Sequence, residues 1–273
     1  MISRGNVMRA AVAVLVLASV WLGRTGPLIG QTGPEHRVAA KTSPATSALN
    51  TAARNGKYLF VFFWKENDRQ TQTMYGVFKS AAPKIAESAT AISVNTNDAR
   101  EKPIVDRFGV SRAPMPLVLA LAPNGAVTKG FPVRFTEEQL LHDAFVSPGT
   151  AKCLKALQDR KLVLLCVQNQ GTQFSQAAMQ GVMGFKSKAQ LGSATEIVMV
   201  DPSDANEASF LQSLEVDPRT ANAVTVLLAP PGRPVAKFVG PVNTDDIVAK
   251  VTASQSACGP GGCCPGGQCG PQK

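Results

Sequence analysis

An internal repeat constrains the fold of this chain more than any other feature of its sequence. The segment Asp98-Ala99-Arg100-Glu101 recurs as Asp204-Ala205-Asn206-Glu207, 106 residues later. The turn Ala122-Pro123-Asn124-Gly125 recurs as Ala229-Pro230-Pro231-Gly232, 107 residues later. Matches in the same order at nearly the same spacing indicate a tandem duplication with diverged halves. The chain is therefore expected to contain two domains of one fold.

Each copy contains a strand that leads into a helix through a short loop. In the first copy, Tyr58–Thr71 opens with an apolar run ending at Trp64, which predicts a strand buried on both faces. A polar turn follows, and apolar residues from Met74 to Ile85 then share one helical face. The run returns as Leu162–Val167. Such a loop commonly holds the chemistry of α/β proteins, yet the loop after Trp64 contains no cysteine, histidine or glycine.

The remaining pattern defines the fold class. Along the first copy it reads helix, strand, helix, strand, helix, two strands joined by an Asn-Gly turn, and a helix opened by the capping box Thr136–Gln139. The first helix of each copy is predicted over Ser47–Arg54 and Thr150–Asp159. This order favours an α/β fold, a mixed sheet flanked by helices. We predict two such domains, over residues 47–147 and 150–253.

The N-terminal region predicts export. Arg4 and Arg9 precede a 13-residue apolar run that ends at Leu22, too short for a comfortable membrane span. Because no A-x-A-type cleavage site follows, residues 1–23 are either a signal peptide or an uncleaved anchor. Residues 24–46, rich in Gly, Pro, Ser and Thr, predict a flexible linker. The expected location is extracytoplasmic, periplasmic or secreted, with membrane contact only through the N-terminal segment.

The positive charge of the chain does not indicate nucleic-acid binding. The formal net charge is +9. Residues 1–57 contain seven Lys or Arg and one Glu, which gives +6, and the remaining residues contribute only +3. The two predicted domains carry no long basic run and no pattern of aromatic stacking residues. Nucleic acid is therefore not an expected partner.

The first copy resembles the thioredoxin-like family. Residues 61–71 resemble the strand-end signature of that family, an apolar run with Phe-Trp followed by Cys-x-x-Cys, and residues 107–114 resemble the segment that ends in its cis-proline. The resemblance covers about residues 50–146 and, more faintly, 150–253. It implies two tandem thioredoxin-like domains. It also places Asp68 and Thr71 at the two thiol positions, where no disulfide can form, so it implies domains without dithiol oxidoreductase activity.

Further departures from the family support that expectation. The buried acid of the family aligns with Phe62, and the second copy has no Cys-x-x-Cys and no proline in its segment Thr220–Ala223. Without a second acid or base nearby, Asp68 is more simply interpreted as a helix N-cap.

The resemblance leaves one candidate binding site. In the family, the cis-proline edge holds extended peptides, which implies a peptide groove at Pro114 with Trp64 beside it. Pro116 competes with Pro114 for the cis position, and Trp64 also suits a core position. The expected partner is a protein or peptide.

The C-terminal residues 254–273 are rich in cysteine, glycine and proline. Cys258, Cys263, Cys264 and Cys269 follow the spacing C-x4-C-C-x4-C. Disulfides or cross-links are the favoured interpretation for an exported chain, and a Zn²⁺ or Cu⁺ site or redox thiols are the alternatives. Cys153 and Cys166 are predicted to be buried, inert thiols.

Two hypotheses of function follow. The first is a non-catalytic binding or scaffold protein, and the alternative is a metal-binding or redox role carried by the tail. No other cofactor is indicated.

Overall fold

The computed structural model describes residues 43–256, except for the side chains of residues 189–190 and 255–256. The predicted signal or anchor segment, nearly all of the linker and the four tail cysteines lie outside the described residues. Among the described residues, no helix combines the length and apolar character that a membrane crossing requires.

The first half of the described chain has the predicted order of elements. Its helices and strands are α1 (Pro44–Arg54), β1 (Tyr58–Trp64), α2 (Arg69–Ala81), β2 (Ala89–Asn95), α3 (Lys102–Phe108), β3 (Leu117–Leu121), β4 (Val127–Pro132) and α4 (Glu137–His142). Short 3-10 turns precede α3 at Ala99–Glu101 and follow it at Val110–Arg112.

The second half repeats this order with one additional short helix. Its elements are α5 (Pro148–Gln158), β5 (Leu162–Val167), α6 (Ser175–Lys186), α7 (Ala189–Gly192), β6 (Thr195–Val200), α8 (Ala208–Ser213), β7 (Val224–Ala229), β8 (Arg233–Val239) and α9 (Thr244–Ser256). A 3-10 turn over Ala205–Glu207 precedes α8.

Each half forms a four-stranded mixed sheet with the same topology. The strand orders are β2-β1-β3-β4 and β6-β5-β7-β8. The central strand pairs in parallel with one neighbour and antiparallel with the other, and Phe63 faces Leu117 as Val167 faces Val224. This topology confirms the predicted α/β architecture of two thioredoxin-like domains.

The central strand is buried because helices cover both faces of the sheet. In β1, Phe63 packs with the α1 and α3 side of the sheet, and Phe62 packs with the α2 and α4 side. Alternate side chains of a strand point to opposite faces, so a strand between two helical layers needs an unbroken apolar run. This requirement explains the sequence Tyr58–Trp64.

The first helix of each domain begins earlier than predicted. Helix α1 begins at Pro44 and α5 at Pro148, so the predicted starts at Ser47 and Thr150 and the predicted linker end at residue 46 are wrong. The physical reason is a shared cap: the hydroxyls of Ser43 and Ser147 accept the N–H groups of the residues three positions later, at 2.9 and 3.1 Å. Proline then suits the first helical position, where no N–H is needed.

The repeated Asp-Ala-x-Glu segment positions this same helix. Glu101 and Glu207 are both buried. Glu207 accepts the backbone N–H of Gly149 at 2.6 Å and the hydroxyl of Ser147 at 2.5 Å, whereas Glu101 accepts the N–H of Ala45 at 3.3 and 3.4 Å. A carboxylate at a helix N-terminus satisfies orphan amides and the helix dipole. The sequence repeat therefore marks a structural contact.

The two domains are joined by hydrogen bonds as well as by the chain. The side-chain amide of Gln158 on α5 pairs with both backbone groups of Val127 on β4, at 2.9 and 2.7 Å. Asn124, in the hairpin turn of the first domain, donates to the carbonyl oxygen of Ala151 at 2.8 Å. Helix α5 thus packs directly against the β3–β4 hairpin.

Candidate functional site

The start of α2 is the region that the sequence singled out. Helix α2 begins at Arg69, and the carboxylate of Asp68 accepts the N–H of Thr71 at 2.7 Å. This backbone hydrogen bond, with a smaller contribution from the Thr71 side chain, lowers the pKa of Asp68 below its ordinary value of 3.8. The predicted N-cap is confirmed. The partial positive charge of the helix end, which would activate a thiol here, is already opposed by a carboxylate.

An aromatic side chain takes the place of the family's buried acid behind this helix start. Phe62, at the position of the family's buried acid, is fully buried and packs with aromatic neighbours. Its ring centroid lies 5.3 Å from that of Tyr75. Thr71 is also buried. The positions aligned with the family's redox machinery are therefore occupied by a cap, a hydroxyl and an aromatic ring.

Of the two candidates for the cis-proline, Pro116 is correct and Pro114, with which the family segment was aligned, is not. The cis peptide bond lies between Met115 and Pro116. Between α3 and β3 the chain forms the 3-10 turn Val110–Arg112 and then the extended residue Ala113. The proline that directly precedes β3 is therefore Pro116. Its carbonyl oxygen accepts the N–H of Val133 at 2.7 Å.

The backbone beside Pro116 has unused hydrogen-bonding groups. Met115 is half-buried, and neither its N–H nor its carbonyl oxygen has a hydrogen-bond partner among the described residues. Pro114, one residue earlier, is exposed. An unpaired donor and acceptor on one residue can accept an added strand.

The second domain satisfies the corresponding groups internally. Asn222 is the counterpart of Met115, because Ala223 accepts from Gly240 as Pro116 accepts from Val133. The Thr220 hydroxyl donates to the carbonyl oxygen of Asn222 at 2.8 Å and accepts its N–H at 3.3 Å.

The chain itself occupies the adjoining edge of the second domain. Gln173 forms an isolated parallel bridge with Asn222. The N–H of Gln173 donates to Ala221 at 2.8 Å, and its carbonyl oxygen accepts from Ala223 at 2.9 Å. In the first domain Pro116 replaces Ala223 and has no N–H to make the second of these bonds.

In the second domain, the loop between β5 and α6 brings together Thr172 and the first residue of that helix, Ser175, with their hydroxyl oxygens 2.7 Å apart. This pair follows Asp68 and Thr71 by 104 residues and was not singled out from the sequence. The repeat Ser43-Pro44-Ala45-Thr46 and Ser147-Pro148-Gly149-Thr150, which has the same spacing of 104 residues, was a sequence signal that pointed to it.

Trp64 lies over the edge strand β2. Its indole N–H donates to the hydroxyl of Ser93 at 3.0 Å. The ring lines a pocket of about 310 Å³ together with residues of β1, β2, α2 and the loop between β1 and α2. These are Phe62, Asn67, Thr71, Gln72, Tyr75 and Ser93. The indole therefore reaches β2, on the opposite side of β1 from the strand that follows Pro116.

Both cysteines within the described residues are buried and reduced. Burial raises the pKa of Cys153 and of Cys166 to about 12, with Glu207 adding to the effect at Cys153. The thiolate is the reactive form, so these thiols are inert at neutral pH. Within residues 43–256, no group of three or more His, Cys, Asp or Glu side chains is placed to hold a metal ion.

Comparisons with known proteins found similar solved structures but no matching protein-family model or curated protein sequence. Similar solved structures include Deadhead, a germline-specific thioredoxin of Drosophila melanogaster, at 17% identity over 36% of this chain and 89% of that chain, with a TM-score of 0.30. The first two thioredoxin domains of Saccharomyces cerevisiae Eps1p are similar at 11% identity over 76% of this chain and 94% of that chain, with a TM-score of 0.29.

Human ERp44 in its zinc-bound form is similar at 13% identity, with a TM-score of 0.34. The match covers 80% of this chain and 61% of that chain. Because these TM-scores are low, the fold assignment rests on the strand order and register described above. The described chain consists of two tandem thioredoxin-like domains, each without the Cys-x-x-Cys pair.

Proposed function

We propose that this protein is an extracytoplasmic binding or scaffold protein whose thioredoxin-like domains act without dithiol chemistry. In the first domain, the edge at Met115 binds an extended segment of a protein partner. The signal-like residues 1–23 support export. The capped helix at Asp68 and the inert thiols of Cys153 and Cys166 support a role in which the domains exchange no disulfides.

The observation that carries the proposal is the free backbone of Met115. A peptide strand laid beside this residue gains two hydrogen bonds without breaking a backbone hydrogen bond of Met115. Exposed Pro114 and Arg112 leave room on the solvent side of the edge. The same edge in the second domain is closed by Thr220 and Gln173.

The two domains supply a matched pair of variants. Ala113 stands at the position of Thr220, and Ala113→Thr places a hydroxyl where it can bond the N–H and carbonyl oxygen of Met115. The probe is reduced, carboxymethylated α-lactalbumin, a permanently extended chain, and the readout is photo-cross-linking from p-benzoylphenylalanine at position 114. We expect cross-links in the full-length chain and about tenfold fewer in the Ala113→Thr variant.

The control is the photo-reactive residue at Ala221, the counterpart of Pro114, where we expect no cross-link above background. Thr220→Ala should leave the yield from position 114 unchanged. Equal cross-linking from positions 114 and 221, or no effect of Ala113→Thr, would contradict the proposed edge. Disulfide reductase activity retained in a chain truncated before residue 257 would contradict the non-catalytic assignment.

The second candidate function lies in the C-terminal tail. Four cysteines within residues 258–269 have only Gly, Pro and Gln between them, so their order depends on disulfides or a bound metal. Bound Zn and Cu and free thiols should be measured with and without residues 257–273. Stoichiometric metal that disappears on truncation supports this candidate, and four oxidised cysteines without metal count against it.

A further inference from the structure

The pocket beside Trp64 exists because of the small side chains of the edge strand β2. Helix α2 covers the face of the sheet to which Phe60 and Phe62 point. On that face, β2 contributes Ala89, Ala91 and Ser93, followed by Asn95 at its end, where it pairs with Trp64. Small residues next to bulky aromatic neighbours leave a space that α2 does not fill.

Three aromatic rings surround this space. Phe62 is fully buried, Trp64 is half-buried, and Tyr75 is 39% exposed. The rings therefore provide a closed apolar floor and an open rim. Neutral polar groups complete the lining: the amides of Asn67 and Gln72 and the hydroxyls of Thr71 and Ser93. Gln72 donates to the carbonyl oxygen of Asn67 at 3.2 Å, which closes one side of the rim.

The lining contains no Asp, Glu, Lys, Arg or His. A charged ligand would lose its hydration here without gaining a counter-charge, which is costly. An uncharged ligand with a hydrogen-bonding group would instead find amides, hydroxyls and ring faces. These are the usual components of a small-molecule site, apolar walls with a few placed polar groups.

The volume limits the size of the ligand. The pocket measures about 310 Å³, roughly twice the 150 Å³ of an engineered cavity that binds benzene. We infer that this pocket binds an uncharged aromatic compound of about two fused rings with one hydroxyl or amide group. The site lies on the opposite side of β1 from Met115 and is independent of the proposed peptide edge.

The second domain carries a larger residue, Met199, at the position of Ser93. Cys166 pairs with Met199 as Phe62 pairs with Ser93. Ser93→Met therefore introduces the residue that the second domain has at this exposed position of the edge strand, and Met199→Ser is the matched control. Tyr75→Ala, which removes a ring from the open rim, is a second variant that leaves β2 intact.

The experiment is a titration of the full-length chain with 2-naphthylmethanol, observed through the indole N–H signal of Trp64. The chain contains only one other tryptophan, Trp21. We expect saturable shifts at Trp64, Gln72 and Ser93, and binding about tenfold weaker in Ser93→Met and Tyr75→Ala. Met199→Ser should change the affinity by less than about twofold.

The charged analogue 2-naphthoate tests the class of ligand. It should bind about tenfold more weakly than the alcohol, because the site offers no counter-charge. No shift of the Trp64 signal at about 1 mM alcohol, or equal affinity in folded Ser93→Met and Tyr75→Ala chains, would overturn the site. Equal affinity for the naphthoate would overturn the uncharged class.

Discussion

The two domains share one topology but differ where the strand preceding the second helix ends. In the first domain, Asp68 caps α2, and the backbone N–H and carbonyl oxygen of Met115 have no partner among the described residues. In the second, the N-cap residue Phe174 of α6 has a left-handed backbone conformation, and Thr220 and Gln173 satisfy the backbone groups of the counterpart edge. The strands of the two domains thus keep the same register, and the loops determine which of the two domains has an edge that is free to bind a partner.

Comparing the two domains also shows which packing contacts they share and which side chains differ. Both domains bury a glutamate against the N-terminus of their first helix, and both bury the central strand. The differences include Thr220 in place of Ala113 and Met199 in place of Ser93. Single exchanges at these positions are informative, because the neighbouring strands have the same order and register in both domains.

The largest expected effect is the gain of a reaction. The double variant Asp68→Cys/Thr71→Cys places two thiols at the start of a 13-residue helix, and we expect a disulfide that dithiothreitol reduces and peptide mapping detects. Thr172→Cys/Ser175→Cys should also close, because the two hydroxyl oxygens lie 2.7 Å apart.

The two pairs should differ in rate. The thiol at position 68 caps its helix, whereas the one at 172 lies before the N-cap residue Phe174. Exchange should therefore be about tenfold faster in the first domain. Equal rates would show that the helix end does not distinguish the domains.

The next effect concerns the buried glutamates. Glu207→Ala removes a carboxylate that accepts two close hydrogen bonds and leaves the buried N–H of Gly149 without a partner. We expect a loss of about 3 kcal/mol in the free energy of unfolding, against about 1 kcal/mol for Glu101→Ala, whose bonds are longer. Urea denaturation of each variant measures the difference. A larger loss at Glu101 would contradict the ranking by distance.

A third prediction uses the buried thiols, which occur only in the second domain among the described residues. Their pKa values are raised from 9.0 to about 12, so the unfolded chain loses these protons first as the pH rises. Their contribution to stability is complete below pH 9 and is lost between pH 9 and about 12. Cys153→Ala and Cys166→Ala should flatten the fall in stability in this window, relative to the unsubstituted chain. An unchanged slope would contradict the raised pKa values.

The smallest effect is expected at the N-cap of α2. Asp68→Ala should lower the stability of the first domain slightly at neutral pH, because the N–H of Thr71 loses its acceptor. The pKa of Asp68 lies below 3.8, so the difference from the unsubstituted chain should disappear as the pH falls through that lowered value. Thermal unfolding at several pH values provides the measurement. Asp68→Asn, which keeps an acceptor, is the control.

Much of the fold could be predicted from particular residues. The run Leu162–Val167 was predicted as a strand with the bounds that the structure has, and the capping box at Thr136 was predicted with its partner Gln139. Both signals are local, since they depend on residues that are adjacent or one helical turn apart. The start of α1 was missed because Ser43 lies in a stretch rich in proline and threonine, and its composition resembled a linker.

The candidate site was less predictable for a different reason. Pro114 and Pro116 are two residues apart. Sequence matching aligned the family segment with Pro114 but could not choose between the two, because it does not show how many residues the 3-10 turn Val110–Arg112 uses. Trp64 was placed near the proline by its position in the strand. Its bond to Ser93 became visible only when β2 was placed beside β1.

The sequence by itself determined the duplication, the buried central strands and the absence of thiols at residues 68 and 71. The duplication follows from the repeated residues, the buried strands follow from the hydrophobic pattern, and the absence of thiols follows from the identities of Asp68 and Thr71. None of these requires knowledge of contacts in the folded chain. Only the tertiary structure decided that the edge at Met115 is open while that at Asn222 is closed, and that the aromatic pocket lies over β2. Those properties depend on residues distant in sequence, such as Gln173 with Asn222 and Phe62 with Ser93, because a hydrogen bond or an empty space is defined only by what packs beside it.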